Sequence, residues 1–202
     1  ENENLVRLAD ARSRLGELAE AEKLYRQALA SRIEIWKLQA HSKEAYVLET
    51  DIGQSEMYLG DFLLMCKKDP AAAMKEYESC RVRFERILQL RPDSIDLRQR
   101  LGAAWYRIGF SETDPVKARA AYERCLEYRE TIAQIDRNDA ERQIELLLVC
   151  ARLGRHEEVE RLTDRLGSQT IRDPQTIFQT ACALAVAADV CKIPTQAKAY
   201  RD

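Results

Sequence analysis

Apolar residues recur along this chain at helical spacing, and almost nowhere do they alternate in the manner of a strand. Leu5, Leu8 and Ala9 open a stripe that stops at Leu15-Gly16-Glu17 and restarts with Ala21, Leu24, Tyr25, Ala28 and Leu29, continuing through Ile33, Ile35, Trp36 and Leu38. A break at His41-Ser42-Lys43 precedes a helix over about 44–67, with Val47, Leu48, Ile52, Tyr58, Leu59, Phe62, Leu63 and Cys66 at its apolar positions. Asp69-Pro70 starts the next, because an Asp at the N-cap accepts an orphan N–H and Pro has none to lose. It carries Ala73, Tyr77, Cys80, Phe84, Ile87 and Leu88, and stops near Arg91-Pro92.

The same alternation of helix and turn continues. Ile95, Leu97, Leu101, Gly102, Trp105 and Ile108 form one stripe, a turn follows at Gly109 to Thr113, and Asp114-Pro115 restarts a helix through Ala118, Tyr122, Cys125, Ile132 and Ile135. After Asn138-Asp139 come Ile144, Leu147 and Cys150, a turn at Leu153-Gly154-Arg155, and Val159, Leu162 and Leu166. A further helix is predicted over 174–190, opened by Asp173-Pro174 and followed by a stub over 194–202. These elements predict helix pairs over about 1–40, 44–92, 94–137 and 139–167, with a partial unit over 173–202, in one continuous body.

Within the second helix of each pair a small, an aromatic and another small residue recur at steps of four and three: Ala21-Tyr25-Ala28, Ala73-Tyr77-Cys80 and Ala118-Tyr122-Cys125. That spacing sets all three side chains on one helical face, and self-similarity of this kind marks a repeat architecture. Val159-Thr163-Leu166 keeps the steps and loses the aromatic. The tyrosines are expected in the core between paired helices, with Trp105 packed within its own pair.

The wording around these triads resembles tetratricopeptide repeats. The segments that carry the resemblance are 14–29, with Gly16, Ala21, Tyr25 and Ala28; 118–126; 152–159, with Gly154; and Leu101-Gly102 followed by Trp105. The triads are 52, 45 and 41 residues apart, longer than the ~34 of the standard repeat, with the excess in prolonged second helices and turns. Such long units are similar to the tetratricopeptide regions of bacterial serine/threonine protein kinases, as is the wording of 178–185. The resemblance implies an all-α, right-handed solenoid that presents a concave surface to a partner.

Composition and charge narrow the functions open to such a body. With 32 basic and 34 acidic residues interleaved and a net charge of −2, no basic stripe is offered to nucleic acid. The longest apolar run, 181–188, is too short to span a bilayer, so no membrane association is expected, and a cytoplasmic location is. The opening Glu1-Asn2-Glu3-Asn4, with no Met or leader, suggests part of a larger polypeptide. Six cysteines without CxxC spacing are expected as reduced core thiols. His156-Glu157-Glu158 lacks the second His of a zinc helix, its place being held by Glu160, so neither metal, cofactor nor catalytic residues are assigned. No kinase motif is present in this chain.

The candidate binding residues are those that the repeat would turn onto the concave face: Tyr58, Asp61 and Met65, then Arg100, Ala103, Tyr106 and Arg107, then Leu148 and Arg152. An aromatic and basic groove of this sort suits an extended or helical peptide with acidic groups. The family's carboxylate-clamping places hold Val6, Asp10, Tyr58, Asp96 and Arg100, of which only Arg100 suits that task, so no chaperone-tail recognition is expected. The competing function is a homodimer built on apolar end surfaces.

Overall fold

The computed structural model describes residues 2–168 and 174–190 and is all-helical among them. The helices are α1 (Asn2–Arg14), α2 (Leu18–Gln39), α3 (Ala45–Met65), α4 (Pro70–Leu90), α5 (Ile95–Ser111), α6 (Pro115–Ile135), α7 (Ala140–Leu153), α8 (His156–Ser168) and α9 (Pro174–Val190). Where the pattern predicts one continuous body, the chain divides into two compact units, residues 1–118 and 119–202. The first holds α1 to α5 and the first turn of α6, and the second holds the rest.

Local signals account for the helix ends. Gly16 and Gly154 take positive φ values of 78° and 68°, a conformation that costs glycine little and lets α1 and α7 stop so that the chain reverses. Asp69 accepts from the Ala72 amide at 2.9 Å and Asp114 from that of Val116 at 2.8 Å, each just before a Pro. The third such start, at Asp173, lies outside the described residues. Ser94 and Asp139 cap α5 and α7 in the same manner.

In the first unit, α3 and α4 run antiparallel: Gly60 lies against Tyr77, Glu56 against Ser79, Gly53 against Phe84 and Glu49 against Arg83. The fit depends on the two glycines. A Cβ at Gly60 would lie 2.5 Å from Tyr77 Cε1, and one at Gly53 2.7 Å from Phe84 Cζ, so only bare backbone lets these fully buried rings close on α3. Each buried ring contributes about 1.5–3 kcal/mol relative to exposure.

By contrast α3 and α5 run parallel, since Arg100 reaches Gln54 and Arg107 reaches Asp61, a constant offset of 46 residues. The unit thus has a first-helix layer of α1, α3 and α5 and a second-helix layer of α2 and α4. Trp105 on α5 is half-buried, and the Arg81 guanidinium of α4, the preceding pair, stands 5.0 Å from its ring centroid.

The triads occupy the core unevenly. Ala21, Ala28, Ala73, Tyr77 and Cys80 are fully buried and Tyr25 nearly so. In α6, Tyr122 and Cys125 are buried, Ala118 is only half-buried, and Ala121 is buried beside it. The four-residue step brings Ala118 just inside the helix start at Pro115, where burial is incomplete.

Among the described residues cysteine burial differs from expectation at one position, Cys191 lying outside them. Cys80, Cys125 and Cys150 are buried thiols and Cys66 is half-buried, but Cys182 is exposed, because it lies on the side of α9 opposite the Ala183 and Ala187 that are buried. Among the described residues no helix is long and apolar enough to cross a membrane.

Candidate binding face

Residues 54, 58, 61 and 65 share one stripe of α3 by helical spacing, and the parallel α5 sets Arg100 and Arg107 beside it. Asp61 is the hub. Arg107 donates to it from Nε at 2.6 Å and from Nη2 at 2.9 Å, and the Tyr77 hydroxyl donates to the same carboxylate at 2.9 Å. The fork geometry makes this a strong, oriented pair, although about a third of each side chain remains exposed and solvent screening lowers its worth. Burial lowers the Arg107 pKa, but the hydrogen bond and charge of Asp61 outweigh it and hold the guanidinium above its ordinary value. Burial, then the Asp61 charge, pushes the Tyr77 phenol up, so it stays a donor.

One pair earlier the same device recurs. The Tyr25 hydroxyl donates to Asp10 on α1, and Ala9-Asp10 stands where Gly60-Asp61 stands on α3. A buried Tyr needs a partner for its hydroxyl, and an acid following the small residue of the first helix provides it. On α5 the corresponding dipeptide is Gly109-Phe110, with Phe110 nearly half exposed.

Arg100 is engaged as well, donating from Nε to Asp96 at 2.8 Å and to the Gln54 side chain. Arg107 also reaches its own helix at the Ala103 carbonyl, 3.3 Å away. Both arginines singled out for an acidic ligand therefore have carboxylates of their own. What this face offers to a partner is apolar: Tyr58 is 41% exposed and Met65 58%. Tyr106 is half-buried on α5. Leu148 and Arg152 are half-buried on α7 of the second unit. Val6 is buried and Asp10 is held by Tyr25.

Behind that face, between α3 and α4, lies a charge network that the sequence pattern does not reveal. Glu49 and Glu56 are 7% and 4% exposed. Arg83 donates to Glu56 at 2.8 and 3.2 Å and to Glu49 at 3.4 Å, Ser79 donates to Glu56 at 2.8 Å, and Arg86 pairs with Glu49. Glu56 occupies the place on α3 that Trp105 holds on α5, with Gly60 and Gly109 four residues on; this swap of acid for aromatic is the one sequence signal of the network. Burial, reinforced by the charge of Glu56, raises the Glu76 carboxyl.

In the second unit a cavity of about 280 Å³ is lined by residues of α6, α7, α8 and the α6–α7 turn, among them Arg137 of the turn, Gln143, Cys150, Arg161 and Arg165. Buried Gln143 donates to the Ala133 carbonyl and accepts from Arg165, both at 3.3 Å. Burial pushes the Cys150 thiol up to about 12 despite nearby Arg155, so it is protonated at neutral pH and poorly nucleophilic. Arg129, itself buried, pairs with Glu145, whose pKa burial raises in spite of that partner. Among the described residues no group of three or more His, Cys, Asp or Glu is arranged to hold a metal ion.

No family model and no curated protein matches this chain.

Proposed function

We propose that this chain is a non-enzymatic protein-binding module, a right-handed solenoid of tetratricopeptide-like pairs that receives a segment of a protein partner on its first-helix face. The observation that carries the reading is the exposure of Tyr58 and Met65 on a stripe whose neighbouring charges, Asp61, Arg107 and Arg100, are already bound to partners within the fold. Aromatic and methionine side chains are enriched at interfaces because they desolvate much area at modest entropic cost. Preformed charge pairs around them hold their geometry before binding. The partner segment therefore meets this face with apolar side chains, and its charges, of either sign, lie at the rim. The resemblance to the repeat regions of bacterial serine/threonine kinases favours a scaffolding role in a cytoplasmic signalling protein.

Affinity capture from a bacterial lysate with wild-type bait, a Tyr58→Glu/Met65→Glu bait and a Val82→Glu bait, followed by mass spectrometry, tests the reading. Val82 is exposed on α4, in the second-helix layer, and serves as control. A partner retained by the control and lost from the double variant is the expected result. Equal recovery by all three, or no partner at all, overturns it.

A further inference from the structure

Helix α9 differs in chemistry from every other helix described. Asp189 is its only charged residue, whereas each of α1 to α8 carries four or more. Its Ala183, Ala187 and Ala188 are buried, and α9 packs on α7. The opposite side is apolar too: Ile177 and Phe178 are 57% and 68% exposed, and Ala181, Cys182 and Ala185 are exposed with them. Steps of three and four from 178 through 181 to 185 make one stripe. A helix apolar on all sides is ordinarily covered on all sides.

We infer that this stripe is the contact of a homodimer, formed by α9 of one protomer against α9 of a second copy. Two complementarities argue for that occupant. The first is charge: a surface rich in ions would lose their hydration against this stripe with little in return, since its one charge is Asp189, exposed a four-residue step beyond Ala185 at the end of the helix, and no other described helix carries so few charged residues. The second is size. When two copies of the helix cross antiparallel about a two-fold between residues 181 and 182, Phe178 faces Ala185 and Cys182 faces Ala181, large against small on both sides of the axis. Such a self-matching patch is what a two-fold interface requires. The same exchange of large against small seats Tyr77 over Gly60 within the fold. The residues of this contact belong to α9, and none of them is among those of the face around Tyr58.

Cys182 stands beside the axis and reports on it. In wild-type protein, sedimentation at concentrations up to about 0.1 mM, a range that detects weak dimers, should give twice the 23.3 kDa chain mass. Mild oxidation or a short bis-maleimide should link two chains, and Cys182→Ser should abolish the link. Phe178→Asp should return the chain to a monomer with its helical circular dichroism unchanged. The size argument adds a sharper demand: Phe178→Ala and Ala185→Phe should each weaken the dimer, and the two together should restore it. A wild-type monomer throughout that range, as expected if the chain's own residues or an unrelated protein cover the stripe, overturns the proposal. So does a dimer indifferent to Phe178→Asp.

Discussion

The pairs α3–α4 and α7–α8 close the same kind of gap by opposite means. In α3–α4 the first helix is bare at Gly53 and Gly60 and the second brings Phe84 and Tyr77. In α7–α8 the first helix brings bulk, Leu146 and Cys150 lining one cavity with Leu162 of α8, and the second buries aliphatic Val159, Leu162 and Leu166. Thr163 stands at the aromatic position, half-buried, its hydroxyl bonded to the Val159 carbonyl of its own helix. Interiors are filled to constant density, not with fixed residues, so a repeat can lose its aromatic when its partner helix supplies the volume. The polar consequences also differ. The tyrosine of α4 carries a hydroxyl out to Asp61 and so helps organise the exposed face, whereas the threonine at that place on α8 turns its hydroxyl back onto its own helix.

Substitutions can break this contrast, and their effects should follow the volumes. Tyr77→Ala leaves the largest void and frees one bond to Asp61; a loss of about 4 kcal/mol is expected in urea unfolding. A loss below about 1 kcal/mol would remove Tyr77 from the centre of the pair. Arg83→Met, which leaves Glu56 buried with Ser79 alone, should cost about 3 kcal/mol, much of it recovered when Glu56→Gln is added. In the other pair, Leu162→Ala should cost about 2–3 kcal/mol.

Glycine separates the two regions by sign. Gly60→Ala should lose about 1–2 kcal/mol, since overpacking against a fixed ring exceeds the helix-propensity gain. Gly167→Ala in α8, where a Cβ would meet nothing within 4 Å, should instead gain about 0.5 kcal/mol. Equal signs in thermal unfolding would refute the fit argued for α3 and α4.

The smallest effect is alkaline. Burial raises the Cys125 and Cys150 thiols from 9.0 to about 11 and about 12. Below pH 9 these thiols are protonated in folded and unfolded chain alike, and their contribution to stability is fully present. Above it the unfolded state ionises first, so that contribution is lost as pH climbs toward 11 and 12. Cys150→Ala should flatten this decline in urea midpoints measured from pH 8 upward.

Much of the candidate face was legible as positions and little as chemistry. Asp61 and Arg107 stand out by repeat register, yet their pairing lies 46 residues apart, beyond any local signal. The choice of Tyr over Phe at residues 25 and 77 was the available clue to Asp10 and Asp61, because a buried hydroxyl demands an acceptor. Gly53 and Gly60 carry no turn signal in mid-helix, so only the rings packed on them explain their presence.

By itself the amino-acid sequence determined which stretches are helical and where they stop, because the signals are local: periodicity within a turn, Asp-Pro at the start, Gly at the reversal. It also determined that Tyr25, Tyr77 and Tyr122 are buried, since one apolar stripe leaves them no other side. Tertiary structure alone decided that Ala121 rather than Ala118 is the covered alanine, that Cys182 faces outward, and that the arginines of the face are bound to its own acids. Those outcomes depend on which helix lies opposite, and ion pairs, ring seats and exposure are properties of two surfaces.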